Sequence, residues 1–477
     1  LARQRQELAE AWQDAEARVT LAQAIREADG EAIRQEARQQ LVSLEEEIAL
    51  LDQRLRDEVP EFFDLINPSS LDAKAVQRLL SNGEAALLIM PGEFGTHSIA
   101  VTPDAIQWHR SELTELEVNR LVARLRASVA TSGSPKRFHR KDAYQLYTEL
   151  VEPLQGILAS SQEVYAVPGG SLAALPLAVL VTQEPKGPDV DPQALRETAW
   201  LSDRFALVQL PSLQSLLFLR RFNSGDTNYR TDASFAGFGD PDLDGRASSR
   251  GGGDTALLRT AYLPNAGGEA AIADVSQLRR LASLPGTQAE LIAIQSALGA
   301  PVQSVVLGEE ATETTVRKTD LSRINVLAFA THGLLAGEVD GIAEPALVFT
   351  PPDAPNARDD GLLTASEITT LKLNADWVIL SACNTAAGEG GGEGLSGLAR
   401  AFFYAGARSL LASHWPVRDD IAPNLIVTMI LEQQRDPDLS RARALQRAIV
   451  EIRSNIADPS SAHPAAWAPF VIVGEGR

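Results

Sequence analysis

The amino-acid sequence predicts an α/β protein, a mostly parallel sheet flanked by helices and preceded by an N-terminal helical hairpin. Three observations carry this expectation. Residues 1–58 are rich in Ala, Glu, Gln, Arg and Leu, with no proline before Pro60. Beyond Pro60, short β-branched runs alternate with amphipathic stretches, the rhythm of strands joined by helical crossovers. Two of these runs, Asn325–Ala330 and Trp377–Ala382, are apolar along almost their whole length, as strands buried on both faces are.

In chain order, Gly30 breaks the first segment into two helices. Leu41, Leu44, Ile48, Leu51 and Leu55 then follow a heptad-like 3, 4, 3, 4 spacing. An antiparallel hairpin, packing on the rest of the chain or on helices before it, is favoured over an oligomerising coiled coil, because two heptads are short for the latter. Ala85–Met90 and His97–Val101 read as a β-hairpin, Leu113–Val129 and Ala143–Ile157 as helices, and Gln162–Val167 as a strand. LAALPLAVLV repeats the strand-like texture, and a third apolar segment runs from Ala206 to Leu219. Residues 222–286 hold most of the linker signals, including GDPDLDGRASSRGGGD. Asp240, Asp242 and Asp244 hint at a calcium loop, but Pro241 intrudes and no Glu closes the frame. The rhythm then resumes with helix Thr287–Leu298, strand Val302–Val306, helix Glu313–Leu321 and strand Asn325–Ala330. A hairpin around Ala346–Thr350 and a helix opened by a Thr364/Glu367 capping box lead to Trp377–Ala382.

Composition narrows the function. At 477 residues the chain has room for about three domains of roughly 150 residues. A net charge of −20 argues against broad binding to nucleic acid or anionic membranes. No apolar run approaches the roughly 20 residues of a membrane span. One cysteine rules out an internal disulfide framework and a Cys-rich metal site. No cofactor and no metal are expected. The opening LARQRQELAE lacks both a signal-peptide pattern and an initiator Met, so a fragment or processed chain is expected. A cytoplasmic location is expected, compatible with a lost targeting segment.

That cysteine, Cys383, directly follows the Trp377–Ala382 run, and His332 lies just past Asn325–Ala330. Their separation of 51 positions suffices for a right-handed crossover, so the two strands are expected to be parallel neighbours. Their carboxyl ends would then open on one crevice, where such sheets place their chemistry. An imidazole that handles the proton of a thiol makes that thiol a nucleophile. Gly333 leaves its N–H room to turn toward a carbonyl oxygen, and with the N–H of Cys383 it could form an oxyanion hole. Taken singly, Cys383 and His332 are more often packing residues.

NVLAFATHG, DGLLTASEI, VILSACNTAAGEGGGEGLSGLARAFFYAGARSLLASHWPVRDD and HPAAWAPFVIVGEG together resemble the CHAT family of caspase-like (clan CD) cysteine peptidases. EVYAVPGGSLAALPLAVLV, FAGFGDPDL and LPGTQAEL add to the resemblance, which spans about residues 60–477. It implies a catalytic dyad on Cys383 and His332. It also implies a noncatalytic caspase-like half at 59–225, a catalytic domain at 226–477, and residues 1–58 as the possible end of a helical repeat array. In caspase-like enzymes the residue two before the cysteine lines the S1 pocket, here Ser381. The segment Ser413–Asp419 resembles the strand and loop beside the cleft, making Ser413, His414, Trp415 and Asp419 candidate substrate contacts. For His414 and Trp415, packing at the strand end is the alternative. Asp340, Glu389, Glu393 and Asp419 are candidates for selecting a basic residue, a preference the sequence leaves open.

The expected partners are a protein substrate and a regulatory protein at the N-terminal helices. The rival reading is a catalytically silent caspase-like scaffold. A dinucleotide site at Gly392–Gly397 fails because its glycines do not directly follow the strand. A G-x-S-x-G elbow fails because Leu398 stands where the last glycine belongs.

Overall fold

The computed structural model describes residues 8, 39–41, 43–44, 47–54, 57, 71–129, 137–222, 234–243, 275–284, 286–334, 344–356, 359–381, 393–415, 417–418 and 420–476. Contacts divide the chain into two units, Leu1–Ser70 and Leu71–Arg477. In the first unit the described residues 47–54 are helical. Leu44 and Leu51 are buried and Leu50 is exposed, as the heptad-like seam requires. Gly30 and Leu55 lie outside the described residues.

The second unit is built on one eleven-stranded sheet. Its early strands are β1 (Glu84–Met90), β2 (Thr96–Val101), β3 (Ile106–Ser111), β4 (Glu163–Pro168) and β5 (Ala206–Gln209). Then come β6 (Phe235–Pro241), β7 (Val305–Gly308) and β8 (Val326–Ala330). A separate three-stranded sheet holds β9 (Gly333–Leu334), β10 (Ala346–Val348) and β11 (Leu362–Thr364). The main sheet ends with β12 (Trp377–Leu380), β13 (Ser409–Ser413) and β14 (Phe470–Gly474). Its spatial order is β3-β2-β1-β4-β5-β14-β13-β12-β8-β6-β7. Strands β1, β4 and β5 are parallel, as are β13, β12, β8, β6 and β7. Pairing is antiparallel in β1–β2–β3 and between β13 and β14.

Alternation across the sheet sorts its side chains into two core layers. Trp377 and Ile379 of β12 join one cluster with helices Glu115–Val129, Ile421–Arg435 and Arg441–Arg453. Val378 and Leu380 join the other, under helix Glu393–Ala405. All four residues are buried, which is why this strand reads as a continuous apolar run. Helix Glu393–Ala405 ends at Gly406, whose φ of +112° and whose 2.3 Å gap between a notional Cβ and Leu373 O admit no side chain.

Two expectations shift, and one strand carries no expectation. LAALPLAVLV forms two 3₁₀ turns, Gly170–Ala174 and Leu177–Val179, in place of a strand. Pro176 has no N–H to give a ladder, and an apolar run fits a buried turn as well as a buried strand. Strand β7 starts only at Val305, after a 3₁₀ turn that leaves Val302 80% exposed. Strand β3 lies at the sheet edge with Ile106 and Trp108 exposed, so no buried face marks it in the sequence.

Candidate active site

Strands β8 and β12 are parallel neighbours, with Phe329 opposite Leu380. The Ser381 N–H carries the ladder one step further, donating to Phe329 O at 2.9 Å. His332 follows the end of β8 and is 9% exposed. Its backbone is held on both sides: Val348 N–H donates to His332 O at 2.9 Å, and the Thr331 hydroxyl donates to Val348 O. The ring Nε2 lies 2.7 Å from Ala282 O. A carbonyl only accepts, so Nε2 carries a proton and a neutral ring keeps its lone pair on Nδ1.

Ala282 falls in the stretch that the sequence reads as linker. Around it, Leu278, Leu281 and Leu284 are buried. Leu278 and Leu281 cluster with Leu243, Leu334, Ala346, Val348 and Leu362 of the small sheet and its surroundings. That satellite core fixes the carbonyl which orients the imidazole. A main-chain acceptor has no side-chain signature, so no sequence signal marks it.

Gly333 opens β9 opposite Leu347. Ser381 is 4% exposed, just past β12. Ser413, His414 and Trp415 leave β13 for the interior. Ser413 is 2% exposed, and His414 and Trp415 are fully buried. The His414 N–H donates to Pro469 O at 2.8 Å, and Nε2 stands 3.2 Å from Gln209 Oε1. Gln209 Nε2 donates to Ala173 O at 2.9 Å, which turns its carbonyl oxygen toward His414. The Trp415 indole donates to Ala465 O at 3.1 Å. In this arrangement His414 and Trp415 take the packing role and offer no exposed face to a substrate. Cys383, Asp419, Asp340 and Glu389 lie outside the described residues, as does the side chain of Glu393.

The register of β6 on β7 shifts between Gly239 and Pro241, and Asp240 there takes φ +47°. The Asp240 carboxyl sits above the usual carboxylate range because of burial and the nearby Asp242. Among the described residues no group of three or more His, Cys, Asp or Glu side chains could hold a metal. None of the described helices is long and apolar enough to cross a membrane.

A buried acid supports the small sheet. Glu313 accepts from Arg317 Nε at 2.7 Å and from the Asp360 N–H at 3.2 Å. Arg317 also pairs with Glu367, the acid of the expected capping box at Thr364. Burial, with Glu367 adding to it, pushes Glu313 up to about 8. The folded state therefore holds a proton that the unfolded chain has released, and stability falls as pH rises from about 4.5 to about 8. Glu313→Gln should flatten that decline, a difference on the order of a few kcal/mol readable in denaturant titrations across the window.

Comparison with known proteins adds a family. A model described as the CHAT domain matches residues 140–475. Tetratricopeptide repeat protein 28 of Mus musculus is 26% identical over 374 residues, covering 72% of this chain. Its Homo sapiens counterpart is 26% identical over 385 residues, with the same coverage. The chain spans 14% of the length of these relatives. Among solved structures, the Saccharomyces cerevisiae separase–securin complex overlaps 98% of this chain and 37% of its own, at 11% identity and TM-score 0.41. Gingipain R overlaps 76% and 74%, at 9% identity and TM-score 0.37.

Proposed function

Because the chain belongs to the CHAT domain family, we propose that it is a cysteine endopeptidase acting through Cys383 and His332 on a protein substrate. The observation that supports this most is the register of β8 and β12. Phe329 faces Leu380, and His332 and Cys383 each stand three residues beyond that pair. On this reading the imidazole takes the thiol proton at Nδ1 while the Ala282 carbonyl holds Nε2–H, so the ring keeps one tautomer through the cycle. The thiolate attacks the scissile carbonyl, the imidazolium protonates the leaving amine, and water releases the acyl group. The N–H groups of Gly333 and Cys383 are the proposed donors to the developing oxyanion. Residues 59–225 serve as the noncatalytic half, residues 226–477 as the catalytic one, and the helices of residues 1–58 as the regulatory contact.

The test is a comparison of newly formed protein termini in cells expressing the parent chain or Cys383→Ala. Termini that appear only with the parent support a peptidase and report its preferred residue. Identical sets under every condition tried would favour the scaffold reading.

A further inference from the structure

One edge of the main sheet is the six-residue strand β3. The turn before it closes with the Thr102 N–H donating to Ala105 O at 2.9 Å, which sets the alternation of the ladder that follows. Gln107 and His109 bond back to Ala100 and Ser98 of β2, so Ile106, Trp108 and Arg110 turn their N–H and C=O groups away from the sheet. The other side of β2 agrees with this parity. Ile89 O accepts from the Gly169 N–H beyond β4, so Leu88 and Met90 bond to Ile99 and His97, leaving Ser98 and Ala100 for β3. Among the described residues, nothing bonds to the outward groups of Ile106, Trp108 and Arg110.

The side chains of these three residues share one face of the strand. Trp108 is 68% exposed, with its ring 6.5 Å from that of His97, and Ile106 is 44% exposed. Arg110 Nη2 donates to Phe94 O at 2.6 Å, which keeps the guanidinium at this edge. Asp104, in the turn just before the strand, is exposed. The opposite edge differs: β7 has only four residues, all half-buried. A long apolar edge without lysine or proline is a template for another strand.

We propose that two copies of this chain pair antiparallel through β3, joining their eleven-stranded sheets into one. With the twofold axis at Gln107, Ile106 of each copy lies opposite Trp108 of the other, and their outward N–H and C=O groups bond reciprocally. Arg110 of each copy then comes alongside Asp104 of the other. Aromatic–β-branched and opposite-charge cross-strand pairs are both favourable, and the symmetry forms each of them twice. Charge selects this register: centring the axis on Trp108 would set Arg110 against Ile106 and Glu112 against Asp104, two like charges.

The mass of the full chain is measured by light scattering and sedimentation across a wide range of concentrations. The expected result is a dimer. Ile106→Pro removes an outward N–H at the first residue of the strand, where proline is tolerated, and should leave a monomer. Arg110→Asp and Asp104→Arg each create two like-charge pairs and should weaken dimerisation about tenfold or more, whereas the double variant should restore it. If Ile106→Pro lowers the unfolding midpoint, the charge variants, on exposed residues, decide. A parent that stays monomeric at every concentration would overturn the proposal and leave the edge to a strand of another protein. A dimer indifferent to all three single variants would place the contact elsewhere on the chain and overturn it as well. So would a double variant that keeps the parent's unfolding midpoint and still fails to dimerise.

Discussion

His332→Ala is expected to slow covalent labelling of Cys383 by a thiol-directed peptide electrophile by about 10²- to 10⁴-fold, the usual reach of general acid–base catalysis. Cys383→Ala should abolish labelling. His332 is 9% exposed and its ring holds the Ala282 carbonyl at 2.7 Å, so truncation alone could loosen the site. His332→Gln separates the two effects. It keeps an N–H donor for Ala282 but offers no basic nitrogen, so it should be as slow as His332→Ala while retaining the parent's unfolding midpoint. Rates within a few-fold of the parent for both variants would remove His332 from the mechanism.

The largest expected effect on stability falls on Arg220. Its guanidinium joins Glu84 at the start of β1, Tyr165 in β4 and Glu475 beyond β14. Burial works against its charge, and the hydrogen bonds and charges of Glu475 and Glu84 more than offset this. Arg220→Ala takes the guanidinium away from Glu84 and Glu475, whose side chains are 5% and 15% exposed. Removing one partner of a buried ion pair costs about 3–5 kcal/mol, because the remaining charge has neither water nor a counterion. A shift of that size should appear as a lower denaturant midpoint at an unchanged slope. Arg220→Lys should recover only part of it, since an ammonium cannot reproduce a planar, multi-toothed grip. A loss below about 1 kcal/mol in Arg220→Ala would mean that the network holds little of the fold together.

Much of this protein is legible in its residues because local rules and tertiary packing agree there. WVIL and VLAFA announce strands buried on both faces, and both faces are indeed covered. The Thr364/Glu367 pair announces a helix start, and Glu367 reaches back to accept from the Thr364 N–H and hydroxyl. The hairpin of β1 and β2 and the helix Glu115–Val129 are equally plain. Where burial patterns are ambiguous, as in LAALPLAVLV, or masked by exposure, as in β3, the reading fails. A period-2 or apolar signal exists only when one or both faces are covered.

By itself, then, the sequence determined the alternating α/β architecture, the neighbouring parallel strands β8 and β12, and the placement of His332 just past one of them. It also showed a lone cysteine just past the other. Only the tertiary structure decided what surrounds them. It placed β14, the last strand of the chain, between β5 and β13, joining early and late strands in one sheet. It brought Ala282 O to the His332 ring, and it turned His414 and Trp415 inward against Gln209 and Ala465. The physical reason is common to all of these. Periodicity and capping are local properties of the chain, whereas a main-chain carbonyl, a buried amide or a strand's neighbour is chosen by contacts between residues far apart in sequence.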